Sequence, residues 1–281
     1  MLEQRGSETA MFMAAYRARA SKQPKALIDD PWANDLAGET GHALARRYDE
    51  VYPHMELWTA LRVAYIDARV RRAVAAPRSI AQVVLLGAGL DTRAARLASQ
   101  GVRFFEVDHP DSQADKLERI TKLDGYPRDA ATYVTCDFER DDFIERLVAS
   151  GFAADRPTLF VWEGVTPYLT EAAVRGTLKR LASGAHPESV VVFDHLRKKI
   201  VAGDVKDARD KESRDFVGEL GEPLRWGCDD ILPVLYEDGF RRVRATTFDE
   251  ICLDLTVTYD RARTFRFQSI AVASPAAPDL P

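Results

Sequence analysis

Cysteine is scarce in this chain: Cys136, Cys228 and Cys252 are the only three in 281 residues. They lie far apart and form no CxxC pair, so neither a disulfide framework nor a zinc site is indicated. No run approaches the roughly 18 consecutive apolar residues of a membrane-spanning helix. The opening Met1-Leu2-Glu3-Gln4-Arg5-Gly6 lacks the apolar stretch of a secretory signal. Basic residues are not in excess, since 39 Lys and Arg face 44 Asp and Glu for a net charge of −5. A general nucleic-acid backbone binder needs a basic face, which this balance disfavours. Internal repeats and long low-complexity segments are missing too. The expectation is a cytoplasmic protein with no metal, no membrane anchor and no nucleic-acid partner.

What is present is ordinary globular material. A hydrophobic fraction of 46% with 30% charged residues excludes wholesale disorder. The length suits one large domain or a domain with a cap. Residues 1–76 read as a helical cap. Met55, Trp58, Leu61, Tyr65 and Ala68 recur at helical spacing and Pro77 ends the run. A turn at Asp30-Pro31 precedes a shorter helix that stops near Gly38.

The pattern changes after Ser79. Five apolar runs, Gln82–Leu86, Val102–Val107, Thr132–Cys136, Thr158–Trp162 and Ser189–Phe193, alternate with helical stretches. Those stretches are Asp91–Ser99, Pro110–Leu123, Asp141–Ala149 and Glu171–Ala182. This alternation predicts a doubly wound α/β fold with a mostly parallel sheet covered on both faces. Residues 197–227 interrupt it with a charged segment, read as a helical insert over the open end of the sheet. A helix near Asp229–Glu237 follows, then strands Phe240–Thr246 and Thr264–Ala273. That last pair suggests an antiparallel hairpin at one sheet edge. The core is therefore expected over 80–196 and 228–273, with 274–281 as a loose tail.

Ligands of open α/β sheets bind beyond the carboxyl ends of the strands. Four such ends stand out. Gly87-Ala88-Gly89-Leu90-Asp91-Thr92 is either a tight structural turn or a close backbone approach to a ligand. A dinucleotide site would want a third glycine where Thr92 stands. Asp108, in Glu106-Val107-Asp108-His109-Pro110, follows at the distance at which an acid reaches ribose hydroxyls. It also fits a helix cap, and Glu106 with Asp108 could divide the two roles. Asp137-Phe138 fits an adenine through the amino group and the ring face, or another cap. Glu163 leaves a fully apolar strand, where an unpaired carboxylate would be costly; it is either a structural acid or a partner for a cofactor ammonium.

In this order and spacing, these motifs resemble the class I S-adenosylmethionine-dependent methyltransferases. Within them, the chain is similar to the leucine carboxyl methyltransferase family, including its bacterial members of natural-product (polyketide) biosynthesis. The carrying residues are Gly87-Ala88-Gly89-Leu90-Asp91-Thr92-Arg93, Glu106 to Pro110, Asp137-Phe138 and Glu163-Gly164-Val165-Thr166-Pro167-Tyr168-Leu169. The resemblance implies a seven-stranded sheet with an N-terminal helical cap. It implies S-adenosylmethionine as cofactor and S-adenosylhomocysteine as product. Gly87 and Gly89 would lie under the methionine part, Asp108 would hold the ribose, and Asp137 with Phe138 the adenine. Glu163 would stand near the methionine amino group. Arg62 would bind the cofactor carboxylate, and Arg17 matches a second family arginine.

The expected reaction is O-methylation of a carboxylate on a small organic acid. A carboxylate is already ionised near neutral pH and needs no general base. A phenol or hydroxyl acceptor would need one, and His195 after the fifth strand is the candidate. Tyr168 is a candidate for binding the acceptor oxygen, Arg197 for an acceptor carboxylate and Trp226 for an aromatic wall; each also has an ordinary structural reading. A nicotinamide oxidoreductase is disfavoured by Thr92 and the Glu106/Asp108 pair. A non-catalytic scaffold would have no physical need for the full cofactor set.

Overall fold

The computed structural model describes residues 7–75, 80–98, 101–204, 208–257 and 267–281. Pro77, Ser99 and positions 264–266 of the expected last strand lie outside the described residues. Three helices form the cap: α1 (Glu8–Ser21), α2 (Ala33–Val51) and α3 (Met55–Ala75). Gly38 has φ of 59° and ψ of −176° and breaks α2 near its start, where the sequence places a stop. The chain continues in helical form beyond that kink. At Gly41 a Cβ would strike the carbonyl of Met11, so a glycine there lets α2 lie against α1.

The core follows as β1 (Gln82–Leu86), α4 (Arg93–Leu97), β2 (Arg103–Asp108), α5 (Pro110–Thr121), β3 (Ala131–Thr135) and α6 (Phe143–Ala149). It continues with β4 (Thr158–Trp162), α7 (Glu171–Gly184), β5 (Val190–Leu196), α8 (Lys198–Ala202) and α9 (Ala208–Glu219). Last come α10 (Ile231–Glu237), β6 (Arg242–Thr247), α11 (Phe248–Thr256) and β7 (Gln268–Ser274). The seven strands run in the order β3-β2-β1-β4-β5-β7-β6, and β7 is antiparallel to both of its neighbours.

Strand alternation divides the core between two faces. Val83, Leu85, Leu159, Val161, Val190 and Val192 pack beneath the cap helices. Val84, Leu86, Phe160, Trp162, Val191 and Phe193 face the opposite layer, which includes residues of α6, α7 and α10. The strand pair expected at one edge exists, with two differences. It is no tight hairpin, because α11 lies between its strands, and β7 takes the inner position beside β5. A Thr247/Glu250 capping box starts α11.

The segment read as a loose tail is held where it begins. Ser274 belongs to β7, Ala276 N donates to Pro187 O at 2.9 Å and Ala277 is buried. Backbone hydrogen bonds and a small buried side chain fix it despite its Pro/Ala composition. Among the described residues, no helix is long and apolar enough to cross a membrane.

Candidate functional site

The strand order reverses between β1 and β4, and a ligand crevice belongs at that switch point. A cavity of about 320 Å³ opens there. The turn after β1, the ends of β2, β3 and β4, and α1 and α3 of the cap all line it. Gly87, at φ +64°, donates its N–H to Val107 O at 2.8 Å, and a Cβ on it would run into Val165. Gly89, at φ +46°, donates to Asp108 Oδ2 at 2.5 Å. Both glycines therefore adopt a backbone that L side chains rarely take.

Asp108 also accepts from His109 N at 2.7 Å. Burial pushes its carboxyl above the usual range, and the two backbone donors oppose that. His109, not Asp108, caps α5. Glu106 does not line the cavity. It is buried against Lys116 and hydrogen-bonded to it, so Asp108 alone of that pair reaches the crevice. Burial takes the Glu106 carboxyl up to about 7, with Lys116 pulling it back down.

Asp137 and Phe138 stand on the cavity wall after β3. The Asp137 Oδ1 accepts from Glu139 N at 2.9 Å, while Asp142 is the residue that caps α6. Phe138 leans on Phe143 at 6.0 Å between ring centroids.

Glu163 and Arg62 are joined at 2.8 Å. Arg62 is 6% exposed, which excludes a solvated helix charge. It also pairs with Asp194 at 3.1 Å and lies 4.0 Å over the Trp58 ring. Gly164 beside this guanidinium has φ of +71°, a backbone that L side chains rarely take. Glu163 bonds Arg93 at 2.6 Å, and Arg93 and Arg96 both hold Asp67, at 2.7 and 2.6 Å. Arg93 further pairs with Asp91, and Arg17 with Asp30 at 2.9 Å. The buried network thus sets four guanidinium groups against five carboxylates. Arg71, exposed on the same helix as Asp67, adds a fifth guanidinium at 3.9 Å from it, so the charges of the cluster balance.

A second cavity, of about 100 Å³, adjoins the first. The two share Thr9, Met13, Arg62, Gly164 and Tyr168. Its walls are aromatic, with Phe12, Tyr48, Tyr52, Trp58 and Phe267. The charged 197–227 segment supplies Ile200, Ser213, Arg214, Val217 and Leu224. Burial, reinforced by Glu222, keeps the Tyr168 hydroxyl protonated far above its ordinary range.

Three expected residues are not in either cavity wall. His195 follows Phe193 onto the far face of the sheet, while Asp194 and Leu196 point to the second cavity. Trp226 packs beside His195 at 6.5 Å and belongs to that far-side core. Arg197 is exposed where α8 begins, and Arg214 is the insert's arginine at the cavity. The base role of His195, the wall role of Trp226 and the anchor role of Arg197 therefore give way to ordinary structural positions. Sequence reasoning missed Thr9, Asp194, Arg214 and Gln268. Strand alternation at Asp194-His195 was the available signal for Asp194; the others depend on tertiary packing.

Comparison with known proteins agrees with this geometry. A crystal structure of a methyltransferase-type protein from Thermobifida fusca superposes with a TM-score of 0.65 at 16% identity, covering 97% of this chain and 96% of that one. A Mycolicibacterium gilvum protein, named for S-adenosyl-L-methionine-dependent methyltransferase activity, is 32% identical over 246 residues, 83% of this chain and 78% of its own. A Mycolicibacterium smegmatis protein named in the same way is 34% identical over 206 residues, 69% of this chain and 68% of its own. Fold, crevice and relatives define an S-adenosylmethionine-dependent methyltransferase with a Rossmann-like core. The chain belongs to the leucine carboxyl methyltransferase family, whose model matches residues 10–182.

Proposed function

We propose that the protein methylates the carboxylate of a small organic acid, with the cofactor in the larger cavity and the acceptor in the smaller one. The observation that carries this reading is the shared wall of the two cavities, formed among the described residues by Thr9, Met13, Arg62, Gly164 and Tyr168, none of them a histidine or a carboxylate. Arg62 holds Glu163 and Asp194, Ser7 donates to Glu222 at 2.6 Å, and Tyr168 stays protonated. Asp194 also accepts from Gly164 N at 2.6 Å. An ionised carboxylate needs no base, whereas a phenol, with a pKa of about 10, does.

When bound, S-adenosylmethionine supplies a methyl group on a positively charged sulfur. Gly87 and Gly89 would lie beneath its methionine part, Arg62 and Arg17 would hold its carboxylate and Glu163 its amino group. Asp108 would accept from the ribose hydroxyls, and Asp137 with Phe138 would hold the adenine. Tyr168 donates its hydroxyl to one acceptor oxygen and leaves the other free to attack. The cap and the insert exclude water, so alignment supplies most of the rate enhancement.

The test is product analysis after incubation with S-adenosylmethionine and a series of aromatic acids and phenols. A methyl ester, cleaved by mild alkali, is expected; an alkali-stable ether as the sole product would overturn the carboxylate reading. In calorimetry, Asp108→Ala should lose at least about tenfold in affinity for both adenosyl ligands, as expected for a charge-assisted hydrogen-bonding group. NADH should not bind.

A further inference from the structure

The second cavity contains polar atoms that methyl transfer leaves unused. Gln268 is 5% exposed and Trp58 is 4% exposed, and both line this cavity. Among the described residues, neither Gln268 Oε1 nor Trp58 Nε1 has a hydrogen-bond partner. Gln268 stands opposite Leu196 in the β5–β7 register, which puts it on the cavity face with Leu196 and Asp194. The Trp58 indole cannot turn away to find another acceptor. It is stacked on Phe248 at 5.6 Å and 11°, with Arg62 over the ring at 4.0 Å.

Buried polar groups left unpaired are costly, and a ligand that pairs them removes the cost. An indole N–H only donates and a carboxamide oxygen only accepts. A hydroxyl group does both. The surrounding rings favour a planar body: Tyr52 meets Phe267 edge-on at 6.0 Å, and Phe12 stacks on Tyr48 at 5.5 Å.

We infer that the acceptor is an aromatic acid bearing a hydroxyl besides its carboxylate, and that Gln268 and Trp58 read this hydroxyl. Gln268 accepts its proton and Trp58 donates to its oxygen, so the two residues set substrate specificity. The inference rests on the smaller cavity being the acceptor site.

Its test is calorimetry of 3-hydroxybenzoate, 4-hydroxybenzoate and benzoate on protein loaded with S-adenosylhomocysteine, where no turnover intervenes. At least one hydroxy acid should bind about tenfold or more tighter than benzoate, because a site built to bond a hydroxyl rejects the analogue without it. Gln268→Leu should bring that ratio close to one. Trp58→Phe, which keeps a ring between Phe248 and Arg62, should lower it as well and serves if Gln268→Leu fails to fold. Equal binding of all three acids by wild type, a ratio unmoved in both variants, or no binding of any acid overturns the inference. Product analysis with S-adenosylmethionine separates it from the reaction itself. Ester formation without hydroxyl preference leaves carboxyl methylation standing and removes the inference. Hydroxyl-dependent binding followed by ether formation does the reverse.

Discussion

Arg62 and Asp194 are 132 residues apart in sequence and meet at 3.1 Å where the two cavities join. Asp194 is fully buried, and its other oxygen accepts from Gly164 N at 2.6 Å. The pair ties the cap helix α3 to the end of β5 and fixes the guanidinium that both cavities share.

Removing Arg62 should therefore damage folding as well as binding. Arg62→Ala leaves Glu163 and Asp194 facing each other without their shared cation. Breaking a buried pair in this way costs about 3–5 kcal/mol, which urea denaturation would read. Arg62→Lys should recover only part of this, since an ammonium lacks the planar fork that reaches both acids.

Gly87→Ala tests the turn beneath the crevice. The left-handed backbone alone costs an L residue about 1–2 kcal/mol, and the new methyl also meets Val165. Adding Val165→Ala should relieve the clash but not the backbone term. Thermal midpoints should then rank wild type first, the double variant second and Gly87→Ala last. A double variant no more stable than the single one would show that Val165 yields freely.

His195 should govern acid stability rather than catalysis. Burial lowers its pKa below the ordinary 6.5, offset in part by Asp194. A group with a depressed folded pKa contributes stability in full above its unfolded pKa, and that contribution is lost as pH falls through the folded value. His195→Asn should flatten the decline of the urea midpoint below pH 6.5 and leave turnover at pH 8 unchanged. A collapse of turnover at pH 8 in a folded variant would return His195 to the catalytic machinery.

Ser7 donates to Glu222 Oε1 at 2.6 Å and so fastens the start of α1 to the segment after α9. Both residues line the larger cavity. Glu222→Ala should speed S-adenosylhomocysteine release about tenfold, the equivalent of one charge-assisted hydrogen bond, in stopped-flow exchange. An unchanged release rate would mean that the cavity opens without parting these two residues.

The alternation of apolar runs with helical stretches already specified a parallel, doubly wound sheet, because each strand must bury both faces. The strand ends carried their own signals. A glycine turn, Asp108, Asp137-Phe138 and Glu163 are local patterns, and all of them line one crevice. Strand order was not local information, so the inner position of β7 was not legible. Nor was α11, which lies in the connection between the last two strands. His195, Arg197 and Trp226 have the right chemistry at plausible places in the chain. Their assignment depended on which way each side chain turns, and a one-residue step along β5 exchanges one face of the sheet for the other.

The sequence by itself determined the fold class and the strand-end residues that line the larger cavity, because these follow from periodicity and from residues contiguous with strand ends. The tertiary structure alone decided the second cavity. Thr9, Trp58, Asp194, Arg214 and Gln268 come from α1, α3, β5, α9 and β7 and line one cavity. No spacing along the chain encodes that meeting; it arises from packing the cap and the charged insert over the open end of the sheet.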